Sequence, residues 1–149
     1  MNMINKALRI LIADTQHFHR MKIERLFNSL DYYRVAPVQS LAELLALVDY
    51  GCEPFDAIVI NADLAAGSLD LLGFFLDNPQ VRQALIYNER TAPLQCAAGF
   101  AQDNVYVSPL ALPGLPSIKQ LMALIDAPAT RPEALARQSL AAVRRAAHA

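Results

Sequence analysis

The sequence predicts an α/β protein built on a doubly wound, five-stranded parallel sheet with helices on both faces. Short apolar runs alternate with longer segments of helical periodicity, and such alternation produces a parallel sheet covered by helices. The run at 55–60 is β-branched and continuously apolar towards its end, as expected of a strand covered on both faces. With 149 residues, of which 54% are apolar, the chain can bury a full core.

The start of the chain supplies two strands and the helix between them. Residues 7–13 are mostly apolar and end at Asp14, which indicates a buried strand. Apolar residues recur through 17–30, which predicts a helix. Residues 33–38 form a weaker strand signal. Pro37 within that run indicates a sheet edge or a strand end, because proline cannot donate to a neighbouring strand.

A capped helix and the strongest strand follow. Ser40 is predicted to cap a helix over 41–50, whose apolar residues recur at spacing i, i+3, i+4 and i+7. Gly51 ends that helix. The next strand, at 55–60, leads directly into Asn61. We therefore expect Asn61 at the carboxyl end of a central strand.

The second half of the chain repeats the alternation. Strands are predicted at 83–87 and 104–107, ending at Asn88 and Ser108. Helices are predicted at 68–76, 93–101 and 115–125. Right-handed crossovers bring the carboxyl ends of parallel strands to one edge of the sheet, where open α/β proteins form their sites. The side chains expected at that edge are Asp14, Thr15, Asn61, Asn88 and Ser108.

We divide the chain into one domain over 1–126 and a segment over 127–149 that consists of a linker and a basic helix. Pro128 and Pro132 mark the linker, and a sixth helix is predicted over 133–147. One acid and four arginines give this segment a charge of +3; they are Glu133, Arg131, Arg137, Arg144 and Arg145. Such a helix contacts nucleic acid or an acidic partner, or it packs its thin apolar stripe on a neighbour. We favour packing over nucleic-acid binding.

Composition excludes several classes of function. A net charge of −1 offers no strong field to nucleic acid or to a membrane surface. No apolar run is long enough to span a bilayer, and no signal peptide is predicted. Cys52 and Cys96 form no disulfide or metal pattern, which favours a reducing, cytoplasmic setting. A glycine-rich phosphate loop and a nucleophile paired with a base are both missing, so no enzyme activity is predicted.

Three segments resemble the receiver domain of bacterial response regulators, the CheY-like family. The run 8–20 resembles the opening of a receiver, 55–61 resembles its third strand and phosphoacceptor position, and 107–110 resembles its lysine-proline turn. The resemblance covers about residues 7–126. It implies a flavodoxin-like sheet of order 2-1-3-4-5 and a role in two-component signal transduction.

The resemblance also implies a chemistry that this sequence lacks. Receivers hold Mg²⁺ with an acidic pair and an aspartate, phosphorylate that aspartate, and use a lysine and a Thr or Ser beside the phosphoryl group. Here Asn61 stands at the phosphoacceptor position and Ser108 at the lysine position. The acidic pair is reduced to Asp14 and Thr15, and Asn88 takes the place of the Thr or Ser. We therefore predict a pseudo-receiver that is not phosphorylated and needs no cofactor.

Several interpretations of these residues stay open at this point. Asp14 is either a remnant metal ligand or a strand-end carboxylate satisfied by neighbouring N–H groups. Asn61 either bonds Ser108 or Asn88 and closes the pocket, or is a simple isostere of aspartate. A weakly phosphorylatable regulator would use Asp63 or Asp14, and a receiver-like domain could instead bind a small ligand in the strand-end pocket. His17 and His19 do not share a helix face, so we do not predict a metal site there.

The preferred hypothesis is a regulatory module that binds a protein partner, which would be a kinase, another regulator or a second copy forming a homodimer. The expected surface comprises Leu94, Tyr106, Leu110, Leu112, Leu115 and Ile118. Its apolar loop at 110–116 either forms an interface or is buried under the sixth helix. Receivers carry a switch aromatic where this chain has Val105. Tyr106 follows one residue later and is predicted to face the opposite side.

Overall fold

One six-stranded sheet contains all the strands that the structure describes, and helices pack on both of its faces. The fold is taken from a computed structural model, in which the described residues are 7–66, 68–76, 78–89 and 100–125. The strands are β1 (Ile10–Ala13), β2 (Val35–Val38), β3 (Phe55–Asn61), β4 (Val81–Tyr87), β5 (Phe100–Gln102) and β6 (Val105–Val107). The helices are α1 (His17–Ser29), α2 (Leu41–Tyr50), α3 (Leu71–Phe75) and α4 (Leu115–Ile125), and Ala62–Ala65 form a turn of 3-10 helix.

The strand order in the sheet is β2-β1-β3-β4-β6-β5. All neighbouring strands are parallel except β5 and β6, which are antiparallel. The predicted α/β class and mostly parallel sheet are confirmed, and the arrangement is compatible with a flavodoxin-like fold. The predicted count of five strands and the order 2-1-3-4-5 are wrong, because the sheet has an additional edge strand.

That additional strand, β5, replaces the end of a predicted helix. The expected helix over 93–101 does not extend through Phe100 and Ala101, because these residues pair with β6 across the turn at Asp103 and Asn104. Asp103 adopts a left-handed conformation, φ 49°, which suits a tight hairpin turn. The rest of that predicted helix lies outside the described residues, as do Cys96, the linker and the predicted sixth helix.

Local sequence signals explain the edge strand β2 and the helix that follows it. β2 forms one edge of the sheet, so Pro37 does not interrupt a ladder between two neighbouring strands, as predicted. The Ser40 hydroxyl accepts a hydrogen bond from the backbone N–H of Glu43, 3.1 Å away. The Glu43 carboxylate in turn accepts one from the N–H of Gln39. This reciprocal capping starts α2 where the sequence predicts it.

Helix α3 is shorter than its predicted range of 68–76. The backbone N–H groups of Ser68 and Leu69 both bond to the carbonyl of Ala65, so the chain continues as a turn after the 3-10 segment. Regular helix begins only after Asp70 and spans five residues. The turns that follow β3 therefore occupy the residues that the sequence assigned to the first part of the helix.

Two hydrophobic cores lie on opposite faces of the sheet. On one face, α2 and α3 cover side chains such as Leu11 and Ile58. On the other, α1 and α4 cover side chains such as Ile12 and Val59. Because side chains alternate between faces along a strand, neighbouring residues of β1 and β3 enter different cores. None of the helices in the described ranges combines the length and apolar character needed to cross a membrane.

Candidate functional site

Asp14 is the centre of a polar cluster at the carboxyl edge of the sheet. It follows β1 and has no exposed surface. Its Oδ2 atom accepts hydrogen bonds from the Asn61 amide at 3.0 Å, the Tyr87 hydroxyl at 2.5 Å and His19 Nδ1 at 3.0 Å. Its Oδ1 atom accepts the backbone N–H of Gln16 at 2.9 Å. Both carboxylate oxygens are therefore satisfied by the protein itself.

Asn61 connects this carboxylate to the neighbouring strand ends. Its amide nitrogen donates to Asp14, while its Oδ1 atom accepts the Asp63 N–H at 2.9 Å and the Asn88 amide at 3.0 Å. The same Asn88 amide nitrogen also donates to Asp63 Oδ2, 2.9 Å away. A continuous hydrogen-bonded chain thus links Asp14, Asn61, Asn88 and Asp63 across the ends of β1, β3 and β4.

Hydrogen bonds also fix the backbone after β4. Asn88 has a left-handed conformation, φ 62°, which asparagine tolerates better than most residues. Its N–H donates to the Leu110 carbonyl at 2.7 Å, and the Glu89 N–H donates to the Ser108 carbonyl at 3.0 Å. The Ser108 hydroxyl accepts the Leu110 N–H at 3.2 Å. These bonds join the loops that follow β4 and β6.

The buried carboxylate stays ionised because of its donors. Burial raises the pKa of Asp14, but four hydrogen bonds to the ionised form outweigh it and bring that pKa below its ordinary value of 3.8. In order of effect, those bonds come from Tyr87, Gln16, Asn61 and His19. Arg20 adds a positive charge nearby, with its guanidinium 2.6 Å from the Asp14 carbonyl oxygen.

Tyr87 is the strongest of these donors, and its own ionisation is suppressed. Burial, and then the adjacent Asp14 carboxylate, raise the pKa of Tyr87 far above its ordinary value of 10.0. Because the pKa is raised by folding, this phenol stabilises the native state fully below about pH 10. That contribution is lost at higher pH, where unfolding allows the phenol to release its proton.

We therefore expect Tyr87 to stay protonated for as long as the protein is folded. In an alkaline titration followed by phenolate absorbance, the wild-type protein and Tyr87→Phe should gain the same amplitude before unfolding. After unfolding, the variant should show one tyrosine fewer. A smaller amplitude in Tyr87→Phe before unfolding would mean that Tyr87 ionises in the folded protein, and would contradict the proposed bond to Asp14.

The structure brings together three of the five predicted edge residues. Asn61 is hydrogen-bonded directly to Asp14 on one side and to Asn88 on the other, and it bonds Asn88 rather than Ser108. Ser108 is buried beside them but is engaged with its own loop. Thr15 is exposed. Of the two readings of Asp14, the one that satisfies the carboxylate within the protein matches these contacts, although side chains supply most of the bonds.

Two residues of the cluster were missed by sequence reasoning. Tyr87 counted only as the apolar end of β4, and His19 was considered only as a metal ligand. The sequence places Tyr87 at the last position of the predicted strand 83–87, and therefore at the same edge of the sheet as Asn61, with which it pairs in the structure. A buried carboxylate needs several donors, and the neighbouring strand ends are where they should be sought.

The residues at this edge do not fit the Mg²⁺ that the receiver resemblance implies. Asp14 Oδ2 already accepts three hydrogen bonds, and Asn61 faces it with an amide nitrogen rather than with the oxygen that Mg²⁺ prefers. Asp63 Oδ2 already accepts from Asn88. Among the residues that the structure describes, no three His, Cys, Asp or Glu side chains are grouped so that they could hold a metal ion.

The predicted interaction surface is only partly at the surface. Leu110 is 56% exposed, and Tyr106, Leu112 and Leu115 are half-buried. Ile118 lies on the buried face of α4 and has no exposed surface. It must be removed from the predicted surface, because it packs against the sheet together with Leu121 and Met122. Leu94 lies outside the described residues. Tyr106 packs towards α1 and α4, whereas Val105 packs on the opposite face, as strand alternation predicts.

Comparisons with known proteins add a likeness of fold. No protein-family model matches the chain, and no curated protein matches it. Among solved structures, it is similar to the solution structure of SdrG from Sphingomonas melonis Fr1, with a TM-score of 0.54 and 18% sequence identity. The similarity covers 82% of this chain and 98% of SdrG. At this level of identity the likeness concerns the fold alone.

Proposed function

We propose that this chain is a pseudo-receiver, a receiver-like module of bacterial signal transduction that binds a protein partner without being phosphorylated. The observation that supports it best is the hydrogen-bonded chain from Asp14 through Asn61 to Asn88. Asn61, at the position that corresponds to the receiver phosphoacceptor, thereby links the ends of neighbouring strands through its hydrogen bonds. We place the module in the cytoplasm.

The chemistry of Asn61 argues against phosphoryl transfer. An amide has no nucleophilic oxygen of the kind that forms an acyl phosphate, and both polar atoms of Asn61 are engaged with neighbours. At the lysine position, Ser108 supplies no positive charge to neutralise a phosphoryl group. Asp14 and Asp63 are the two carboxylates considered as substitutes, and each accepts a hydrogen bond from an asparagine amide.

The same contacts suggest a fixed conformation. Receivers signal when the residue after strand four moves towards a phosphoryl group. Here Asn88 is anchored by its side chain to Asn61 and Asp63 and by its backbone to Leu110. Because several bonds would have to break together, the loop is expected to keep one arrangement. A protein of this kind acts by binding a partner through a surface that phosphorylation does not change. The partner would be a kinase, another regulator or a second copy.

The proposal predicts that phosphoryl donors leave the protein unchanged. After incubation with acetyl phosphate and Mg²⁺, intact mass spectrometry should show no phosphoryl adduct. Addition of beryllofluoride and Mg²⁺ should leave the amide NMR spectrum as it is with Mg²⁺ alone. A known phosphorylatable receiver treated in parallel confirms that the reagents are active. A stoichiometric adduct, or spectral changes that need both reagents, would show that the site is functional and would refute the proposal.

A further inference from the structure

A groove separates α1 from the loop between β6 and α4. It encloses about 320 Å³. Its lining residues are Lys22, Ile23, Leu26, Leu112, Pro113 and Gly114. One of these six is charged and the others are apolar or glycine. The groove thus has an apolar floor, with one ammonium group at its rim.

The two helices beside the groove carry an excess of positive charge. Helices α1 and α4 contain four Lys and Arg residues, and Glu24 is their one acid. Helical spacing places Glu24 on the side of α1 away from Lys22, while Arg25 lies near it. Ser117 and Gln120 face the cavity beside β6. Lys119 is two residues from Ser117, so helical spacing places it on the other flank of α4 from Ser117. In contrast, residues 1–129 as a whole carry a net charge of −4.

Exposed apolar side chains continue the groove towards the carboxyl edge of the sheet. Phe18 is 58% exposed and stands one helical turn before Lys22, whose Nζ lies 5.1 Å from the centre of the ring. Leu110, 56% exposed, belongs to the loop that forms the other wall. Large exposed apolar side chains that border a groove are typical anchors of a protein interface.

Charge decides between the occupants that such a groove could accept. Residues 127–149 of this chain carry a charge of +3 and would be repelled by Lys22, Arg25 and Lys119. A two-fold contact between two copies would bring the same cations face to face, because a symmetric dimer pairs identical surfaces. A partner with acidic side chains around an apolar stripe complements both the floor and the rim.

We propose that the groove between α1 and the β6–α4 loop binds an acidic amphipathic helix of a partner protein. Apolar residues at i, i+3, i+4 and i+7 of that helix would fill the groove, and its acidic residues would face Lys22, Arg25 and Lys119. This inference rests on the proposed interaction function and names the chemistry of the partner. Leu112, predicted from the sequence as part of the surface, lies in the groove wall.

Fluorescence anisotropy with two designed helical peptides tests the proposal on the full chain. Both peptides carry Leu and Phe at i, i+3, i+4 and i+7. One has Glu at all other positions, and the second has Lys there. We expect the Glu peptide to bind, with an affinity that falls as salt is added. Equal binding of both peptides, or no binding of the Glu peptide, would overturn the proposal.

Matched variants locate the binding surface. Lys22→Gln combined with Lys119→Gln should weaken the Glu peptide by about fivefold. Gln120→Glu adds one negative charge on the other flank of α4 and should change affinity by less than about twofold. Phe18→Ala should weaken binding by about tenfold, whereas Tyr50→Ala, at an 86% exposed site on α2, should have no effect. If the α1 and α4 variants behave like their controls, the groove is not the binding site.

Further measurements separate this inference from the proposed function. Tighter binding of the Glu peptide after deletion of 127–149 would show that the chain occupies its own groove and would overturn the proposal. So would a dimer, detected by analytical ultracentrifugation, that Phe18→Ala dissociates, or salt-dependent binding of a DNA duplex that the double lysine variant abolishes. If acetyl phosphate phosphorylates the protein, the pseudo-receiver proposal alone is refuted. If the protein is not phosphorylated and does not bind the Glu peptide, the proposed helix-binding groove alone is refuted.

Discussion

Replacement of Asp14 by alanine should destabilise the protein by about 3 to 5 kcal/mol, the usual effect of removing one member of a buried charged network. The carboxylate accepts four hydrogen bonds and is completely buried. Its loss leaves the Tyr87 hydroxyl and the Asn61 amide without their acceptor. Urea denaturation followed by circular dichroism measures the change in the free energy of unfolding.

The acid limb of the stability profile provides an independent check on Asp14. Its pKa in the folded state lies below the ordinary value of 3.8, so the unfolded state binds the proton more readily. The stabilising contribution is therefore complete above the ordinary pKa and is lost as the pH falls through the lower, folded-state value. Asp14→Ala should lack this part of the pH dependence. Thr15→Ala, at the exposed neighbouring position, should stay within about 0.5 kcal/mol of wild type; an equal loss in both variants would contradict the role assigned to Asp14.

The second large effect is expected from Asn61→Asp, which introduces the residue that receivers phosphorylate at this position. The Asn61 amide lies 3.0 Å from Asp14 Oδ2. A second carboxylate there replaces a hydrogen bond by the repulsion of two buried like charges. We expect a loss of about 2 to 4 kcal/mol at neutral pH, together with an acyl-phosphate yield far below that of a working receiver. Denaturation and acetyl-phosphate labelling measure the two quantities.

Two further variants isolate the cause of that loss. Gln120→Glu introduces the same unit of charge at an exposed site and should be nearly neutral. Combining Asp14→Asn with Asn61→Asp restores a single carboxylate to the pair, so the double variant should be more stable than the sum of the two single changes predicts. Additive single effects would show that Asp14 and Asn61 are not coupled. Labelling of Asn61→Asp at a normal receiver rate would show that the site is far more intact than proposed.

Local patterns were sufficient to predict most of the fold. The helix α2 follows from its apolar spacing and from Ser40, and the edge position of β2 follows from Pro37. The strand Phe100–Gln102 was not predictable in this way. A strand of three residues is too short to show a periodicity, and its pairing depends on the hairpin turn and on β6. The shortened α3 depends likewise on turns that follow β3.

The site was predictable as far as chain topology determines it. Parallel strands must end together, so Asp14, Asn61 and Asn88 could be placed at one edge from the sequence. Their mutual bonds, and the contributions of Tyr87 and His19, depend on side-chain directions in three dimensions. A tyrosine at the end of an apolar run is usually a core residue, and only the buried charge beside it identifies Tyr87 as a donor.

The left-handed backbone at Asn88 has a consequence for how easily the proposed pseudo-receiver could acquire a phosphorylation site. Threonine, one of the two residues that receivers use after the fourth strand, is β-branched and poorly tolerated at φ 62°. Asn88→Thr would strain the backbone before any benefit of phosphate binding could be gained, and Asn61→Asp alone would set two carboxylates against each other. Each of these two substitutions is therefore disfavoured on its own. In the proposed pseudo-receiver, a phosphorylation site would therefore need several simultaneous changes, and selection acting on single substitutions would leave the inactive form in place.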